Sequence, residues 1–212
     1  MSPADAMRRL FFIFSLLTLG VAGVRALPTA AQIKVAFDAI DTTRNGAINA
    51  EEWDKASFAL FHAADKNNNN FIDADELQGS AIAQDTFLHA DTDHDGRLSV
   101  SEFMDVRRAI FQVADIDRDG SLVFVEFELL IVMEQVGWLD RNHNGRIELS
   151  ELRDSLAKAF EQLDLDHDGK LAPAETTYMA DGEFKRFDKN HDGLLSLDEF
   201  VGGYRAVLLG EL

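Results

Sequence analysis

The sequence predicts an all-α fold, a tandem array of helix–loop–helix units with short β-bridges where two loops pair. Three observations carry this expectation. Aspartates open acidic stretches at Asp41, Asp65, Asp91, Asp115, Asp140, Asp164 and Asp188, at intervals of 24 to 26 residues, and self-similarity at a fixed period marks a repeat architecture. Each interval divides into a 12-residue polar loop and a connector of 12 to 14 residues. Apolar residues lie four before and one before every loop, a spacing of three that puts both on one helical face.

Those apolar pairs are Phe37 and Ile40, Phe61 and Ala64, Phe87 and Ala90, Phe111 and Ala114, Val136 and Leu139, Phe160 and Leu163, and Phe184 and Phe187. A further apolar residue follows the closing glutamate of six loops, as Trp53, Leu77, Phe103, Phe127, Leu152 and Phe200; Thr176 is the exception. Such a stripe at helical spacing is core, because it gives each helix one face to bury.

From the N-terminus, residues 1–26 are expected to be a cleaved export signal. Arg8 and Arg9 precede an apolar run from Leu10 to about Val24, and Val24-Arg25-Ala26 fits cleavage after residue 26. A second candidate point follows Ala31, with Thr29 at −3. The apolar run is short for a membrane span, which needs about 20 residues, so no span is expected in the mature chain, residues 27–212. The chain has no cysteine, which excludes disulfides and thiolate zinc sites. Together with the signal, that points to a bacterial protein, periplasmic or secreted.

The formal net charge is −18. Without residues 1–26, 17 basic residues stand against 37 acidic ones, a net −20. Nucleic acid is excluded as a partner, since phosphate binding needs Lys and Arg. The regular recurrence of Phe, Leu and Ile argues against a disordered acidic chain. Position, rather than composition, must explain the acids.

The loop Asp91–Glu102 shows how. Calcium takes six to eight oxygens at flexible distances. Asp91, Asp93 and Asp95 at positions 1, 3 and 5 converge when the chain curls tightly, and Gly96 at position 6 permits the positive φ of the bend. Arg97 at position 7 offers its backbone carbonyl, and Glu102 at position 12 supplies two more oxygens. Leu98 at position 8 is apolar because it packs against a neighbouring loop. The pattern is D-x-[DN]-x-[DN]-G-x5-E.

In chain order, the first loop, 41–52, offers Asp41, Thr43, Asn45 and Glu52, and is expected to bind weakest because only two of these are charged. The second, 65–76, offers Asp65, Asn67, Asn69, the Phe71 carbonyl and Glu76, aided by Asp73, with Asn70 at the bend. The third is the loop just described. The fourth, 115–126, offers Asp115, Asp117, Asp119, Ser121 and Glu126; the fifth, 140–151, Asp140, Asn142, Asn144, Arg146 and Glu151, with Glu148 in addition. The sixth, 164–175, offers Asp164, Asp166, Asp168, Lys170 and Glu175, and the seventh, 188–199, Asp188, Asn190, Asp192, Leu194 and Glu199.

These loops resemble those of the EF-hand family, to which calmodulin belongs, from roughly residue 33 to 205. Asp opens and Glu closes all seven, and position 8 is always Ile48, Ile72, Leu98, Leu122, Ile147, Leu171 or Leu195. The resemblance implies an all-α tandem EF-hand helix–loop–helix array holding up to seven calcium ions. The closing Glu, rather than the shorter Asp, favours calcium over magnesium. In calmodulin-like pairs the gap between loops holds two helices and a turn. A connector of 12 to 14 residues spans only about 18–21 Å as a helix, so one helix is expected to leave one loop and enter the next. The close spacing is similar to that of bacterial multi-hand proteins such as calsymin, and loosely to dockerin repeats. Asp181-Gly182 is expected to break the last connector, and Gly79-Ser80 to loosen the second. The array can divide into two lobes, and which loops pair is left open.

The function implied is that of an exported calcium sensor or buffer. Seven ions supply +14, which moves the mature charge from −20 to about −6. The alternative is a calcium-gated interaction protein docking to an envelope or extracellular partner. Sensor hands expose Met-rich grooves, but the mature chain keeps only Met104, Met133 and Met179. Phe124 and the run Phe127–Met133 are candidate sticky surface, expected to be buried. No enzyme is expected. His94, His143, His167 and His191 occupy loop position 4, which is not a ligand position, His62 and His89 lie on connectors, and no Ser/His/Asp set appears.

Overall fold

A computed structural model describes residues 27–77, 90–136 and 148–210. The expected export signal, Gly79-Ser80, Phe87, and the fifth-loop residues Asp140, Asn142, Asn144 and Arg146 lie outside the described residues. In chain order the elements are α1 (Ala30–Ile40), β1 (Ala47–Asn49), α2 (Ala50–Ala64), β2 (Phe71–Asp73), α3 (Ala74–Leu77), β3 (Arg97–Ser99), α4 (Val100–Ala114), β4 (Ser121–Val123), α5 (Phe124–Val136), α6 (Leu149–Leu163), α7 (Asp181–Phe187) and α8 (Leu197–Leu208). No helix among the described residues is long and apolar enough to cross a membrane.

The chain is all-α with minimal strands, as the periodicity predicts. Single helices join consecutive loops: α2 runs from the first loop to the second, α4 from the third to the fourth, and α6 from the fifth to the sixth. Six position-8 residues, Ile48, Ile72, Leu98, Leu122, Leu171 and Leu195, are fully buried.

Two compact units form, one built from Val35–Phe111 and the other from Gln112–Leu212 with Ala26–Lys34. In the first, β2 and β3 pair antiparallel with Ile72 opposite Leu98, so the second and third loops are partners. Around that pair sits a core of Leu60, Phe61, Ala64, Ala90, Phe103 and Met104. Farther along α2, the Arg107 guanidinium lies 4.3 Å from the centroid of the Trp53 ring, and Trp53 Nε1 donates to the Arg107 carbonyl at 2.8 Å.

In the second unit, α8 packs against α5, α6 and α7. Phe200 and Tyr204 meet edge to face at 5.2 Å, and Tyr204 meets Phe187 at 5.1 Å. Helix α5 is buried from Val125 to Met133, with Phe124 half-buried, so the run Phe127–Met133 is core, and with it Glu128. The Tyr204 hydroxyl donates to Glu128 Oε1 at 3.0 Å. Burial, reinforced by Glu183, pushes Glu128 up to about 9. The sixth and seventh loops are joined by the bridge Leu171–Leu195.

One connector departs from expectation. Asp181-Gly182 does not break the last connector; helix α7 begins there. The residues before it, 172–180, form turns in place of an exit helix. Pro173 sits where every other described exit helix starts, a first-turn position that suits Pro. The helix fails three residues later, at the β-branched pair Thr176-Thr177, where Thr176 Oγ1 donates back to the Ala172 carbonyl at 3.2 Å.

Candidate metal centres

Each described loop is wound by its own carboxylates. In the third, Asp91 Oδ1 accepts from the Asp95 N–H at 3.2 Å and Oδ2 from the Gly96 N–H at 3.1 Å. Asp93 Oδ1 accepts from Asp95 and Asp95 Oδ1 from Arg97. Glu102 Oε1 accepts from the Thr92 N–H at 2.9 Å, and Oε2 from the Ser99 N–H at 2.9 Å. The same pattern, residue for residue at positions 1, 3, 5 and 12, recurs in the sixth and seventh loops. These bonds use the N–H groups of the tight bend and hold the acidic oxygens on its inner side.

The bend itself requires left-handed backbone. Gly96 has φ +81 and Gly120 +85 at position 6, and Asn70 takes +65 where it replaces glycine. Position 4 is left-handed too: Arg44, Asn68, His94, Arg118, His167 and His191 all have φ between 57 and 64. By the motif alone, position 4 is not a ligand position and carries no role. His and Asn enter this conformation more readily than most residues, and their recurrence at position 4 was the available signal.

The closing glutamates carry a second duty that the motif alone does not announce. Ser196 caps α8 by accepting from the Glu199 N–H at 3.3 Å, while Glu199 Oε2 accepts from the Ser196 N–H at 3.0 Å. Asn49 and Glu52 make the same reciprocal box on α2. Ser-x-x-Glu before an apolar run was its signature in the sequence. Glu175 differs from the other described closing glutamates: it sits in a turn rather than in the first turn of a helix, yet it keeps its bonds to the Leu165 and Ala172 N–H groups.

Among the described residues, three groups bring three carboxylates within reach of one ion. Oxygens of Asp91, Asp93 and Glu102, of Asp115, Asp117 and Glu126, and of Asp164, Asp166 and Asp168 lie within 4.8 Å of one another in each set. In the seventh loop Asp188, Asn190, Asp192 and Glu199 adopt the same bonding pattern, and in the second Asp65, Asn67, Asn69 and Glu76 do so with Asn67 and Asn69 also donating to Asp73 Oδ2. In the first loop, Thr42 and Thr43 hydroxyls donate to Glu52 and Asp41, so the two acids are largely satisfied from within.

The donor sets fit a hard divalent cation, and the fourth loop fits it most plainly. Asp115 Oδ1 is shielded from solvent and has no hydrogen-bond partner, although a buried carboxylate oxygen without one is costly. Burial, reinforced by the neighbouring Asp117 and Asp119, pushes Asp115 up. Burial likewise lifts Glu126 to about 7, with Asp117 adding to it. Glu102 is the contrast: burial works against its charge, but hydroxyl and N–H donors from Ser99 and Thr92 outweigh it and hold Glu102 at about 2. Position 9 is Ser99 in one loop and Val123 in the other, position 2 Thr92 and Ile116. The fourth loop lacks those hydroxyl donors, so a cation has more repulsion there to relieve.

Comparison with known proteins agrees with this construction. Residues 138–205 match the family model of an EF-hand domain pair, and residues 33–57, 59–79 and 83–106 match that of an EF hand. The fourth loop falls between the matched spans, yet makes the same carboxylate–backbone bonds except the one to Asp115 Oδ1. Calcium-dependent protein kinase 19 of Oryza sativa subsp. japonica is 29% identical over 43% of this chain and 21% of its own length. Calcium-dependent protein kinase 2 of Zea mays is 28% identical over 45% and 23%. The chain thus spans about a fifth of the length of these relatives. Among solved structures, magnesium-loaded apo-berovin, a ctenophore photoprotein, is 16% identical with a TM-score of 0.29, covering 84% of this chain and 87% of that one.

Proposed function

The chain belongs to the EF-hand family and binds calcium, and from that premise we propose that it is an exported multisite calcium buffer. The observation that carries the proposal is the recurrence of three converging carboxylates in separate loops. Crowded acids repel one another without a cation, and a divalent ion relieves that repulsion. The ligands are proposed to be the residues at positions 1, 3, 5 and 12 of each loop, with the position-7 carbonyls. Calcium supplies the positive charge at the centre; the chain's part is to preform the bend and aim the oxygens.

Buffering is favoured over sensing because Met104, Met133 and Met179 are all buried, whereas sensor hands present Met-rich grooves. The sensor alternative rests on the exposed apolar residues Phe58, Leu165, Leu197 and Leu209. Calcium-dependent retention on a hydrophobic resin separates the two, since only a sensor is retained. Export is supported by the apolar run after Arg8-Arg9 and the absence of cysteine.

Calorimetric titration tests the proposal. Exported modules bind at about 10⁻⁴–10⁻³ M. At a calcium concentration a hundredfold above Kd, each filled site adds about 2.7 kcal/mol of stability, so chelation lowers Tm markedly. Fewer than four ions per chain, the number of described loops with at least three carboxylates at the ligand positions, overturns it.

A further inference from the structure

The sixth and seventh loops face one another through Leu171 and Leu195, whose backbones exchange hydrogen bonds of 2.8 and 2.9 Å. Lys170, at position 7 of the sixth loop, extends its ammonium to Asp192 Oδ2, at position 5 of the seventh, at 2.7 Å. The two oxygens of Asp192 are thereby divided. Oδ1 accepts from the Leu194 N–H at 2.9 Å. Oδ2 takes the Lys170 ammonium and, at 3.4 Å, the Asn190 side-chain amide. The oxygen that the backbone leaves available to a metal is therefore the one Lys170 holds.

We propose that Lys170 is a tethered competitor for the calcium site of the seventh loop, lowering its affinity and making it fill after the sixth. The inference rests on the calcium reading above. Calcium and the ammonium draw on the same carboxylate oxygen, so the ion must loosen the Lys170–Asp192 contact to enter. The sixth loop bears no such load, as no ion pair ties Lys or Arg to Asp164, Asp166, Asp168 or Glu175 among the described residues. The first unit offers a contrast. Arg97, also at position 7, reaches Asp73 at 3.2 Å, but Asp73 is at position 9, outside the set of positions 1, 3, 5 and 12. The Lys170 pairing, by contrast, places a cation on a principal ligand.

Both side chains are partly exposed, 40% and 35%, and such pairs contribute at most about 1 kcal/mol. The expected effect is accordingly modest, a change in affinity of up to about fivefold. The amides of Gly169 and Gly193 report the two loops separately, since each donates to the first aspartate of its own loop, at 2.9 and 3.0 Å. Following both resonances through a calcium titration tests the proposal with wild type, K170M, K170R and K189M, the last removing a charge from position 2 of the seventh loop.

In K170M the Gly193 transition moves to lower calcium by up to about fivefold while Gly169 moves less; K170R stays near wild type, and K189M shifts Gly193 less than K170M. An unchanged Gly193 transition in K170M overturns the proposal, as does an equal shift in both loops or an equal shift in K189M. A wild-type Gly193 that never responds to calcium overturns the metal assignment of that loop itself, and the competitor with it.

Discussion

Two adjacent glycines in α8 offer a sharp test of the packing that carries the seventh loop. At Gly202 an added Cβ meets nothing within 4 Å, whereas at Gly203 it falls 2.2 to 2.5 Å from three ring atoms of Phe187. Carbon atoms at rest sit about 3.5–4.0 Å apart, so the ring or the helix must withdraw by about 1 Å. Phe187 is fully buried and held edge-on by Tyr204, so a shift of its ring disturbs a packed neighbour. Gly→Ala in a helix interior ordinarily gains about 0.5–1 kcal/mol. G202A is expected to gain that amount. G203A gains the same propensity but suffers overpacking of about 1–3 kcal/mol, a net loss of up to about 2.5 kcal/mol. For a chain of this size, about 2–4 °C accompanies each kcal/mol. Thermal unfolding at saturating calcium should therefore show Tm raised for G202A by about 1–4 °C and lowered for G203A by up to about 10 °C. Phe187 immediately precedes Asp188, so G203A should also weaken calcium binding in the seventh loop while the third is untouched. A G203A protein as stable as G202A refutes the packing argument.

Three further outcomes are expected. E126Q removes the closing carboxylate of the fourth loop, so the titration should lose one ion and calcium should contribute about 2.7 kcal/mol less at a hundredfold excess over Kd; an unchanged stoichiometry counts against that loop as a site. Glu128 is pushed up to about 9 in the folded chain, above its ordinary value near 4.5, so its contribution to stability is complete below pH 4.5 and disappears as pH rises through 9. Between those limits it tilts stability downward by up to about 1.4 kcal/mol per pH unit. Urea midpoints from pH 6 to 8.5, with calcium saturating, should fall in wild type and flatten in E128Q; parallel curves would exclude Glu128 as the cause. R107M removes the guanidinium from the Trp53 face and from Ser57 Oγ, 3.3 Å away, at a cost of about 1–2 kcal/mol, with Trp53 fluorescence following the same unfolding transition.

How far the sequence discloses this molecule depends on whether a feature is local. The loops were legible because one 12-residue stretch contains all that its bend requires: acids to collect N–H groups, a residue tolerant of positive φ, and a glutamate three residues into the next helix. Asn70 shows the rule, since it stands in for glycine at φ +65 and the second loop keeps its form. The buried position-8 residues and the apolar pairs before each loop were legible for the same reason, as period alone determines which face is covered.

Partner choice was not legible, because every position 8 is Ile or Leu and any two would make an acceptable bridge. What distinguishes the pairs are side chains such as Arg97 with Asp73 and Lys170 with Asp192, whose encounter depends on the packed register. The missing exit helix after the sixth loop was half visible in Thr176, which breaks the apolar pattern, but the turn also depends on Tyr178 being fully buried. Glu128 was concealed for a related reason. Its neighbours in sequence, from Phe127 to Met133, describe an apolar helix, and Tyr204, 76 residues away, supplies a donor that makes a carboxyl tolerable there. The chemistry that binds the ion is thus written within each repeat. The interactions that rank one site against another are written between repeats, at positions that the motif leaves free to vary.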